Sequence, residues 1–118
     1  MKTIKNILII ILLLTSFKSI EAQNKNLIDT TTFKVSGVCG SCKSRIENAA
    51  LIKGVKYANW DIKTHHLTVI YNTSKVKIDD IHKSIALAGH DTEKIKATDE
   101  AYSKLPKCCA YRDDVKSH

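Results

Sequence analysis

Thr32-Phe33-Lys34-Val35-Ser36-Gly37-Val38-Cys39-Gly40-Ser41-Cys42-Lys43-Ser44-Arg45-Ile46-Glu47-Asn48-Ala49-Ala50-Leu51 is the stretch that decides the fold. Phe33 and Val35 alternate with polar residues, the period of a strand. Ile46, Ala49 and Ala50 recur at three and four residues, the period of a helix. Cys39 therefore falls in a strand-to-helix loop and Cys42 at the first helical turn. The positive end of a helix favours a thiolate over a thiol, and Lys43 and Arg45 add positive charge. The expectation is a pair of exposed, ionised sulfurs that serves as a soft-metal clamp or a redox couple.

Outward from this stretch, the same periodicities assign the rest. The first strand is expected over 30–38 and the first helix over 42–51, closed by Gly54 in a left-handed turn. A second strand covers 55–62, with Ala58, Trp60 and Ile62 on one face. The third alternates Leu67, Val69 and Tyr71. Between them, residues 63–66 form a hairpin turn in which His65 and His66 are expected to be exposed and remote from the cysteine loop. Ile78, Ile81, Ile85 and Ala88 make the apolar stripe of a second helix, with Asp79 and Asp80 in its first turn. Gly89 ends it. A short edge strand follows over 91–97, then a terminal helix over 98–105, with a polar tail beyond Pro106. The fold class is α+β. The order βαββαβ is the ferredoxin-like arrangement, a four-stranded antiparallel sheet with two helices on one face.

The 118 residues suit one domain, preceded by a leader. Lys2 and Lys5 precede the apolar run Ile7–Leu14, and Glu21-Ala22-Gln23 offers a small-residue cleavage site after Ala22. That is a secretory signal peptide over 1–22. A membrane span needs about 20 apolar residues, and Lys18 interrupts this run, so no membrane anchor is expected after cleavage. Residues 23–30 form a lead-in. The whole chain carries +7, falling to about +5 without the leader. Arginine occurs only at 45 and 112, without interleaved aromatic residues, so the charge reads as a solvated surface and not as a nucleic-acid site. The expected location is therefore outside the cytoplasm, as a secreted protein in the periplasm of a Gram-negative cell.

The Cys39-x-x-Cys42 loop, Ile46-Glu47, Gly54-Val55, Val69-x-Tyr71 and Ala88-Gly89-His90 together resemble the heavy-metal-associated domain family of small copper chaperones and mercury-binding proteins, over about residues 31–97. The resemblance implies that Cys39 and Cys42 bind a soft ion, Cu(I) first, with Hg(II) or Zn(II) as alternatives. It implies a carrier or buffer that exchanges its ion with a donor or acceptor such as a transport ATPase or efflux component. Where that family carries a methionine packed beneath the loop, this sequence has Gly37. The vicinal Cys108-Cys109, in the tail over 98–118, lies beyond the family pattern.

His90, Cys108 and Cys109 are candidate additional ligands. His90 stands where the family often places a residue beside the metal, and the tail cysteines could fold back on the loop. Trp60 and Tyr71 read as core. No nucleophile constellation or phosphate loop suggests an enzyme. The alternative is a thiol–disulfide oxidoreductase using Cys39 and Cys42. Against it, Val38 replaces the expected aromatic residue, and the single proline, Pro106, lies past the last strand.

Overall fold

A computed structural model describes residues 27–113; the expected signal peptide and the first half of the lead-in, residues 23–26, lie outside the described residues. Strand β1 spans Ile28–Lys34, helix α1 Gly40–Ala50, β2 Val55–Trp60, β3 His66–Asn72, α2 Ile78–Leu87 and α3 Asp99–Ser103. Two single-turn 3-10 helices, Lys107–Cys109 and Tyr111–Asp113, follow. The sheet is antiparallel in the order β1-β3-β2.

Apolar alternation builds the sheet. Phe33, Val35, Trp60, Leu67, Val69 and Tyr71 all turn inward. On the opposing layer, Cys42, Ile46 and Ala50 of α1 and Ile81 and Ile85 of α2 close the core. Each such isoleucine contributes about 1.5–3 kcal/mol by leaving water. The helices are also tied directly, since Ser84 Oγ donates to the Ala49 carbonyl. Gly54 (φ +98°) and Gly89 (φ +102°) take the left-handed turns expected of them.

The expected fourth strand at 91–97 contracts to a single bridge, Val35 to Thr92, flanked by Ser36 N–H to Asp91 O and Glu93 N–H to Lys34 O. The ferredoxin-like position on the β1 edge is thus filled, but the ladder stops. Thr92 is the reason. Its N–H donates to Ile95 O, and its hydroxyl accepts from the N–H groups of Lys94 and Ile95. The chain turns back at the point where a strand would continue.

A second correction concerns the hairpin. Because β1 and β3 are antiparallel with Lys34 opposite His66, the 61–65 turn lies at the same end as the cysteine loop. His65 is half-buried there (φ 62°) and stacks on Trp60 at 5.4 Å, while His66 is exposed.

Candidate metal centre

Cys39 is the N-cap of α1, and its carbonyl accepts the first helical hydrogen bond from Lys43 N–H. Cys42, one turn on, points into the core beside Ile46. The two sulfurs stand 3.5 Å apart. Beneath the loop, Trp60 occupies the space next to Gly37. A Cβ at position 37 would meet the indole Cη2 and Cζ2 at 3.0 Å and Cys42 Cβ at 3.1 Å. The indole N–H donates to the carbonyls of Val35 (3.0 Å) and His65 (3.2 Å). A glycine and a tryptophan together thus support the loop where the family uses methionine.

The tail completes the group. Its first 3-10 turn packs on α1, setting Cys109 Sγ 3.7 Å from Cys39 Sγ. The sulfurs of Cys39, Cys108 and Cys109 all lie within 4.8 Å of one another. Cys109 is fully buried and Cys108 is exposed. All four cysteines are free thiols. Both tail cysteines, candidates from sequence, therefore reach the loop. The nitrogens of His90 do not belong to this group. The ring is fully buried, Nδ1–H donates to the Ser36 carbonyl at 2.8 Å, and Nε2 has no partner. It stacks on Tyr111 at 5.6 Å and so supports the tail.

The expected pair of exposed thiolates is corrected on two counts. First, the loop is covered, with Cys39 at 5% and Cys42 at 0% exposure. Second, only one sulfur favours ionisation. Burial pushes the Cys39 thiol up, but the Cys42 N–H and the thiols of Cys42, Cys109 and Cys108 outweigh it and bring it down to about 7. Burial pushes Cys42 up, with partial relief from its neighbours. Cys109 is pushed up by burial and by donating its proton to Cys42 and Cys39. Cys39 is thus the sulfur of the loop pair that gives up its proton more readily, and a thiophilic cation can enter the group by replacing protons. Lys43, expected to tune this charge, is committed elsewhere, to Glu47, Asn59 Oδ1 and the Trp60 carbonyl.

The profile of the heavy-metal-associated domain matches residues 32–91, the segment that contains the loop, both core helices and strands β2 and β3. The chain belongs to the heavy-metal-associated domain family. Its members include a copper chaperone, CopZ, of Staphylococcus epidermidis, 34% identical over 62 residues that make up 51% of this chain and 91% of that protein. Among solved structures, a CopZ metallochaperone superposes with a TM-score of 0.52 at 32% identity, covering 54% of this chain and 98% of the other. The N-terminal domain of a potential copper-translocating P-type ATPase from Bacillus subtilis, in its Cu(I)-loaded state, gives a TM-score of 0.52 at 25% identity, covering 55% and 84% respectively. The heavy-metal-associated match ends at residue 91, so the Cys108-Cys109 tail is an addition to the family domain.

Proposed function

We propose that the protein carries or buffers a soft metal ion, Cu(I) first, on Cys39 and Cys42, and exchanges it with a transport ATPase or comparable partner in the periplasm. The single observation that carries this reading is the pair of sulfurs 3.5 Å apart at the start of α1 in a heavy-metal-associated fold. Thiolates select Cu(I) and Hg(II) over hard ions. Copper chaperones and the copper-ATPase domain among its relatives support both the ion and the partner. The ion is cargo: each sulfur still protonated gives its proton to solvent as its bond to the ion forms, and on release a partner's thiolates take the ion while the vacated sulfurs take protons back from solvent. The periplasmic placement rests on reading the sequence of residues 1–22 as a signal peptide. The oxidoreductase alternative drew on the loop sequence alone, and the scaffold around that loop is that of the metal-binding family.

The test is an anaerobic competition titration of the reduced protein with Cu(I), Hg(II) and Zn(II) in turn. Cu(I) and Hg(II) should be retained and Zn(II) lost, and Cys39→Ser should abolish retention of both. Retention unaffected by Cys39→Ser and Cys42→Ser would sink the assignment.

A further inference from the structure

Taking the carrier reading as given, we infer that the tail supplies a built-in third ligand: the cargo ion rests in a closed three-thiolate site of Cys39, Cys42 and Cys109. Spacing is the first argument. With metal–sulfur bonds of about 2.3 Å, two sulfurs in a linear site stand about 4.6 Å apart and three in a trigonal site about 4.0 Å. Cys39 Sγ is 3.5 Å from Cys42 and 3.7 Å from Cys109, near the trigonal spacing and short of the linear one. Cys39 is thus the sulfur shared by both contacts, and Cys109, like Cys42, is fully buried. Cys108 also brings its sulfur within 4.8 Å of Cys39 and Cys109, but it is exposed, at the rim where an incoming thiol would meet the group first.

The second argument is independent of the sulfurs. The tail is latched in place by contacts that make no use of cysteine. Tyr111 O–H donates to Gly89 O at 2.6 Å and accepts from Asp91 N–H at 3.0 Å. Arg112 reaches Asp91 Oδ1 at 2.8 Å, Ala97 O at 2.7 Å and Asp99 Oδ1 at 3.1 Å. Its guanidinium also lies over the Tyr102 ring at 4.5 Å. Most of these partners belong to the segment that follows α2, so the latch holds Cys109 over the loop before any ion arrives. A ligand held in this way acts at high effective concentration. The site therefore favours holding an ion over handing it on, and transfer requires the tail to lift.

X-ray absorption at the copper edge of the full, reduced chain loaded with one equivalent of Cu(I) tests this. The wild type should show about three sulfurs, Cys109→Ser two, and Cys108→Ser three. Retention against a chelator should fall about 10²-fold in Cys109→Ser and stay near wild type in Cys108→Ser. A latch variant, Tyr111→Phe with Arg112→Ala, keeps every sulfur and should also loosen retention. The wild-type sulfur count decides the matter even if a variant fails to fold. Two sulfurs in the wild type, or three in Cys109→Ser, overturn the inference and leave the carrier function standing. Failure to take up copper at all would overturn both.

Discussion

Gly37→Ala would place a methyl group where the Trp60 indole and the Cys42 Cβ already stand, at 3.0 and 3.1 Å. Contacts so short force a neighbour to move. The indole cannot slide without loosening its N–H from the carbonyls of Val35 and His65, and it is sandwiched against His65. Cys42 is fixed by the helix and has no exposed surface. Overpacking of this kind costs about 1–3 kcal/mol, which in a domain of this size lowers Tm by roughly 4–8 °C per kcal/mol. A double-mutant cycle isolates the cause. Trp60→Phe alone opens a cavity and is destabilising. Combined with Gly37→Ala, it gives the methyl somewhere to go, so the pair should be less harmful than the sum by about 1 kcal/mol. Urea unfolding of the reduced protein measures all four corners. A neutral Gly37→Ala, or strict additivity with Trp60→Phe, would refute the idea that tryptophan replaces methionine as the support of the loop.

Acid should weaken the fold through its buried histidines. His82 and His90 are held below the ordinary value of about 6.5, chiefly by burial, so the unfolded chain binds more protons and stability rises with pH. Their contribution is complete above about 6.5 and is lost as pH falls through the depressed folded values; a urea midpoint that does not drop in this range would contradict it, and His82→Gln should flatten the slope. An ultraviolet thiolate titration of the reduced, metal-free protein should show one step near pH 7 that Cys39→Ser removes; a step that survives in Cys39→Ser would assign the thiolate elsewhere. Tyr111→Phe leaves Gly89 O and Asp91 N–H without their partner, and should cost about 1–3 kcal/mol in thermal unfolding, where an unchanged Tm would mean the latch is not formed.

Local signals were readable because they depend on near neighbours. The Phe33/Val35 alternation, the Ile46 and Ile81/Ile85 stripes and the glycine turns at 54 and 89 are all set within one or two turns of chain, and the Cys39–Cys42 spacing needs only the helix start. What escaped depends on partners far apart in sequence. The tail's position rests on Tyr111 meeting Gly89 and on Arg112 meeting Asp91, pairs without periodicity, although an aromatic-arginine dipeptide beside a cysteine pair was a signal of sorts. The fourth strand failed because a threonine hydroxyl captures its own backbone, which composition does not reveal. The hairpin was misplaced although the antiparallel pairing of the first and third strands dictates its side. The ionisation of Cys42 was misjudged for a simpler reason: a helix start favours the thiolate, but complete burial disfavours it more strongly.

The most direct measurement is dialysis of the reduced protein, loaded anaerobically with one equivalent of Cu(I), against a weak copper chelator. The account predicts that the wild type keeps its equivalent and that Cys39→Ser/Cys42→Ser loses it. Loss of copper from the wild type, or equal retention by both proteins, would contradict the claim that these two sulfurs are the grip.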